Sequence, residues 1–112
     1  MALRKEILRN QKNFNAVYKK GHSKGSRYVV VLYKKNGLAY TRVAFLASKK
    51  VGNSVRRNRA RRLMREALRT MDATVKQGYD IIFVARNTIE GRKCGEVQKC
   101  MYGAMRASGL LE

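Results

Sequence analysis

The 112-residue chain has no proline and no tryptophan, a single histidine, two cysteines and only seven acidic residues. Each scarcity excludes something. His22 follows a glycine with no companion acid or nucleophile nearby, so it reads as an exposed ring rather than a general base. Glu6, Glu66, Asp72, Asp80, Glu90, Glu96 and Glu112 form no cluster with metal-ligand spacing. Cys94 and Cys100 match neither a zinc knuckle nor a redox pair. On a helix they would stand about 120° apart, flanking Val97, Met101 and Ala104, and they are expected to be reduced core thiols. No apolar run approaches the roughly 18 residues that span a bilayer. The opening Met-Ala-Leu-Arg-Lys-Glu has no apolar signal segment, so a cytoplasmic protein without membrane contact is expected. Repeats and linkers are missing too, and the length suits one domain over 1–112.

What the chain has in excess is positive charge: 26 Lys and Arg, a formal charge of +19 and a pI near 10.8. Hydrophobic residues still make up 45%, too many for a disordered basic tail. The charge concentrates between Ser48 and Arg69, where nine residues are basic and Glu66 is the only acid. Leu63, Met64, Ala67, Leu68 and Met71 recur there at helical steps. At 100° per residue, Ala60 and these five fill an arc of about 140°. Asn58, Arg61, Arg62, Arg65 and Arg69 fall opposite, with Arg59 and Glu66 at their edge. A solvated face normally mixes Glu with Lys, because opposite charges one turn apart support the helix. Here acids are nearly absent and arginine, whose planar fork suits phosphate, replaces lysine. Arg56, Arg57 and Arg59 also oppose the helix dipole. The arrangement costs stability, and a nucleic acid is the natural compensation. His22 then reads as an exposed or RNA-contacting ring. The loop Ser48-Lys49-Lys50-Val51-Gly52-Asn53 before the helix adds a candidate anion site from backbone amides and two lysines.

The remaining pattern predicts a first helix from Gln11 to Lys20, capped by Asn10 and stopped by Gly21, with Phe14, Val17 and Tyr18 on one face. Gly21 to Arg27 reads as a short extra strand and Tyr28–Tyr33 as a strand. A turn at Lys34-Lys35-Asn36-Gly37 leads into Thr41–Ala47 as the returning strand. The basic helix is expected from Ser54 to about Ala73, with Asn53 or Ser54 as cap. Asp80–Ala85 reads as a buried strand. A last helix is expected from Asn87 to about Ala107, with Asn87 and Glu90 as a capping box. Together these elements give an α+β sandwich with helices on a small sheet.

The run Ser48-Lys-Lys-Val-Gly-Asn-Ser-Val-Arg-Arg-Asn-Arg-Ala-Arg-Arg-Leu63 resembles the signature of the bacterial ribonuclease P protein subunit. Phe14-x-x-Val17-Tyr18-x-x-Gly21, the Val-rich strand, Arg42-Val43 and Asp80-Ile-Ile-Phe-Val-Ala-Arg86 extend the resemblance over nearly the whole chain. It implies an αβββαβα two-layer sandwich with a small mixed sheet and a left-handed β-α-β crossover, an exception to the usual hand. It also implies a partner, the catalytic ribonuclease P RNA, which with Mg²⁺ removes the 5′ leader of precursor tRNA. The protein itself would hold neither a catalytic residue nor a metal.

Carried over by position, Lys49, Lys50, Asn53, Arg57, Asn58, Arg59, Arg61, Arg62 and Arg65 would meet the RNA subunit. Phe14 and Tyr18, with Tyr28 or Tyr33 from the sheet, would meet the single-stranded leader. Helix–sheet packing is the alternative for Phe14 and Tyr18. Relatives that place a leader-contacting tyrosine on the sheet have it near the position of Leu32, leaving the choice between Tyr28 and Tyr33 open. Charge and size alone fit a non-enzymatic ribosomal or rRNA-binding protein equally well. A helix-turn-helix DNA reader fits less well, since a strand rather than a positioning helix precedes the basic helix.

Overall fold

The computed structural model describes residues 6–112; residues 1–5, which include most of the opening segment read above, lie outside the described residues. Strand β1 is Glu6–Ile7, helix α1 Gln11–Lys20, strand β2 His22–Gly25, strand β3 Val29–Lys35 and strand β4 Arg42–Ala47. Helix α2 follows at Ser54–Arg69, strand β5 at Tyr79–Ala85, a 3₁₀ turn at Asn87–Ile89 and helix α3 at Cys94–Ala107. The αβββαβα order is present, with β1 as an addition that the sequence pattern did not announce.

The sheet order is β1-β4-β5-β3-β2. Strand β4 is therefore not the returning strand of a hairpin with β3. Instead β5 lies between them, antiparallel to β3 and parallel to β4. The reason lies in β5 itself. Ile81 and Phe83 are buried on one face and Ile82 on the other, and only a central strand buries both. Helix α2 makes the crossover between the parallel neighbours β4 and β5.

Two clusters fill the two faces. Helices α2 and α3 cover one, where Met64, Leu68, Val97, Met101 and Met105 pack on Val29, Val31, Val43, Ile81 and Phe83. Helix α1 covers the other with Val17, against Ala44, Ile82 and Leu8. Ten residues of helix span only about 15 Å, and five strands spread over roughly 19 Å. Leu32, Leu46 and Val84 accordingly stay half-buried beside α1. The shortfall in cover creates an open cleft.

Both long helices differ from expectation at one end. Helix α2 stops at Arg69 rather than Ala73. The Thr70 hydroxyl donates to the Glu66 carbonyl at 2.8 Å, and Met71 N–H donates to Leu68 O at 3.3 Å, tightening the last turn. Helix α3 begins at Cys94 rather than Asn87, because Gly91 sits at φ +75° and breaks the path. Glu96, not Glu90, serves the helix start by accepting the Lys93 N–H at 3.0 Å. Both cysteines are free and half-buried on α3, and Cys100 Sγ accepts the Tyr28 N–H at 3.3 Å.

Candidate nucleic-acid interface

Helix α2 is aimed by its cap and by the loop before it. The Asn53 side chain accepts the Arg56 N–H at 3.0 Å, fixing the first turn. Val51 is buried and anchors the loop in the core. Gly52 stands at φ +139°, a conformation that side chains rarely adopt, and a Cβ there would meet Arg56 Cδ at 2.7 Å. The loop spends its amides on itself. Val51 N–H donates to Ser48 O at 3.0 Å, Gly52 N–H to Lys49 O at 3.1 Å and Lys50 N–H to Ser48 Oγ at 3.3 Å. A backbone anion cradle is therefore not what this loop offers. It offers the exposed side chains of Lys49 and Lys50.

Along α2, Ala60, Met64, Ala67 and Leu68 are buried as the periodicity required. Asn58, Arg59, Arg62 and Arg65 are exposed, and Arg57 and Arg61 are half-buried. Arg61 is oriented by two contacts, to Asn58 Oδ1 at 2.6 Å and to the Ala47 carbonyl at 3.5 Å. Arg57 donates to Ser54 Oγ at 3.2 Å, and its Nε is buried without a partner. Carboxylates reach only the margins of this face. Arg56 lies 3.6 Å from Glu90, and Arg69 is bound by Glu66, whose hydrogen bonds hold the exposed Arg69 guanidinium further toward its charged form. Among the described residues, no carboxylate pairs with Arg59, Arg61, Arg62 or Arg65.

The other half of the candidate interface is the less covered side of the sheet. Among the described residues, strand β1 pairs with β4 at Arg42 and Val43, and the edge of β4 from Ala44 onward has no strand partner. Around that edge lies a cleft of about 200 Å³ whose walls include Phe14, Ala44, Phe45, Leu46 and Arg65. The Arg65 guanidinium rests over the Phe45 ring, 5.4 Å from its centroid, and Phe45 stacks on Phe83 at 5.4 Å. Tyr18, one turn beyond Phe14, is 51% exposed.

The structure separates the aromatic candidates. Phe14 packs with Leu32 and Leu46 on the α1 face, whereas Tyr28 and Tyr33 pack with the cluster on the opposite face. Leu46, Ala44 and Phe45 were missed in the sequence. The strand alternation shows which of them share a face, but not which edge of the sheet stays open.

Below this site, Arg42 and Asp80 form a two-pronged pair at 2.8 Å for each contact, and Asn36 donates to the same carboxylate at 3.0 Å. The hydrogen bond to Asp80 raises the Arg42 pKa above its ordinary value, against the opposing effect of burial. This pair fixes the neighbouring strands β4 and β5.

Comparison with known proteins gives the family. A sequence model of the family described as Ribonuclease P matches residues 3–108. The chain belongs to the ribonuclease P protein family. A "Ribonuclease P protein component" from Alkaliphilus oremlandii is 40% identical, over 93% of this chain and 91% of its own. One from Thermoanaerobacter sp. is 45% identical, over 78% of this chain and 77% of its own. Among solved structures, the RNase P protein of Staphylococcus aureus superposes with TM-score 0.82 at 27% identity, covering 95% of this chain and 97% of that one. The Thermotoga maritima RNase P protein gives TM-score 0.79 at 30% identity, covering 90% and 96%. The αβββαβα sandwich is thus the fold of this family.

Proposed function

We propose that this chain is the protein component of ribonuclease P, the ribonucleoprotein that removes the 5′ leader of precursor tRNA. Under this reading the arginine face of α2, with Lys49, Lys50, Asn53 and Asn58, grips the catalytic RNA through its phosphates. The cleft at the open β4 edge takes the single-stranded leader, with Phe14 offering a ring surface inside a positive groove. The exposed Tyr18, one turn further along α1 and outside the cleft's lining, extends it. One observation carries the proposal: Phe14 and Arg65, from helices on opposite faces of the sheet, line the same cleft. An aromatic platform and an uncompensated guanidinium in one groove suit an unpaired strand that continues into a folded RNA.

The phosphodiester chemistry then belongs to the RNA and its Mg²⁺. Among the described residues, no group of three or more His, Cys, Asp or Glu is placed to hold a metal ion. The protein's contribution is to screen phosphate repulsion and to position the leader, in the cytoplasm. Among the described residues no helix is long and apolar enough to cross a membrane.

Reconstitution tests this. Adding the chain to ribonuclease P RNA at low Mg²⁺ should restore cleavage of precursor tRNA at the mature 5′ end. A folded chain that gives no stimulation refutes the assignment. Selective binding to folded rRNA, with no effect on tRNA maturation, would favour the ribosomal alternative.

A further inference from the structure

At the far end of the sheet from the β4 edge, a second cavity of about 390 Å³ is lined by Lys20, His22, Tyr33, Lys34, Lys35 and Tyr79. Its size lies within the range of small-ligand clefts, about 300–1,000 Å³. Strand register places its three rings on one face: His22 is opposite Tyr33, Tyr33 is opposite Ile81, and Tyr79 is two residues from Ile81. The His22 and Tyr33 rings are 5.5 Å apart and splayed by 34°, so they do not cover each other face to face. Gly21 brings the end of α1 onto β3 here, since a Cβ would meet Tyr33 O at 2.7 Å. That close approach delivers Lys20 to the cavity rim.

The lysines at this cavity face no lining carboxylate; the Lys34 ammonium donates to the Lys35 carbonyl at 3.1 Å. Lys20 suits a helix C-terminus, but Lys34 and Lys35 are adjacent and no carboxylate lines the cavity. Asp80, opposite Lys34 in the register, is already engaged by Arg42 and Asn36. Aromatic rings and lysine side chains lining one cavity are the two elements that bind unpaired nucleotides: a base stacks and its flanking phosphates are neutralised.

We propose that this cavity is a second RNA contact, holding one unpaired nucleotide beyond the reach of the β4-edge cleft. The inference rests on the ribonuclease P reading for its partner and on the cavity alone for its place. The nucleotide comes either from the distal leader or from a single-stranded segment of the RNA subunit, and substrates of different leader length separate the two.

The test uses holoenzyme assembled with His22→Ala/Lys35→Ala, both exposed positions, alongside Phe14→Leu in the first cleft. Affinity for short-leader and long-leader precursor tRNA is measured, together with binding of the chain to the RNA subunit alone. The double variant should lose about tenfold, the scale of one base–aromatic stack, while His22→Phe/Lys35→Ala recovers part of it. Loss confined to long leaders assigns the nucleotide to the leader; loss in direct binding to the RNA subunit assigns it there. Unchanged affinity in every arm overturns the proposal, and a loss with Phe14→Leu then leaves the first cleft standing. A loss in the double variant with none in Phe14→Leu upholds this cavity and removes the leader cleft.

Discussion

Replacing Arg59 and Arg62 together by alanine should weaken assembly with the RNA while leaving the fold slightly more stable. Both side chains are exposed on α2 and neither makes an intramolecular hydrogen bond or ion pair among the described residues. Their removal therefore breaks no hydrogen bond or ion pair among the described residues and relieves repulsion in a chain of formal charge +19. The face offers on the order of 6 phosphate contacts, which gives a log–log salt slope of about −4 to −5. Each lost contact reduces the slope by about 0.7 to 0.9, so the double variant should fall to about −3. Extrapolated from 1 M salt, where the electrostatic contribution vanishes, the loss at about 0.1 M is roughly 25- to 60-fold. At about 0.5 M it shrinks to roughly threefold. Filter binding or fluorescence anisotropy over a salt series reads both slope and intercept, and a thermal melt reports the fold. An unchanged slope with a folded variant would refute the role assigned to the arginine face. An equal loss at every salt concentration would mean that these arginines act through shape rather than charge.

Three further substitutions probe what aims the site. Arg42→Ala leaves the buried Asp80 carboxylate without its two-pronged partner and should cost about 3–5 kcal/mol; a denaturant melt showing less than about 1 kcal/mol would remove the pair from the scaffold. Gly21→Ala places a Cβ 2.4 Å from Val17 O, so α1 must shift. The expected cost is about 2–3 kcal/mol, with loss of leader affinity, and a wild-type melting temperature would contradict it. Asn53→Ala removes the cap of α2 and should cost about 1 kcal/mol. RNA affinity should fall more than stability does, because the first turn carries Arg56 and Arg57; equal affinity would show that Asn53 neither aims the helix nor contacts the RNA.

Periodicity alone placed the buried stripe and the arginine face of α2 correctly, since both follow from 100° per residue. Asn53 as cap and Gly21 as stop were equally local. The helix ends were not. Thr70 diverts a hydroxyl to the Glu66 carbonyl and Gly91 takes a positive φ, and neither choice is dictated by spacing. The supposed β3–β4 hairpin failed for a different reason. Two strands joined by a plausible turn look like neighbours, but the doubly apolar β5 competes for the central place and wins it.

The sequence by itself determined a strong excess of positive charge and where it gathers: the imbalance between basic and acidic residues is a property of composition, and the helical period turns it into a face. Whether the aromatic residues share a groove with that face depends on sheet order and on how far α1 reaches. Those are outcomes of long-range packing, in which apolar surfaces compete for cover regardless of their distance along the chain. Only the tertiary structure put Phe14 beside Arg65, turned Tyr28 and Tyr33 to the other face, and left His22, Tyr33 and Tyr79 gathered among three lysines.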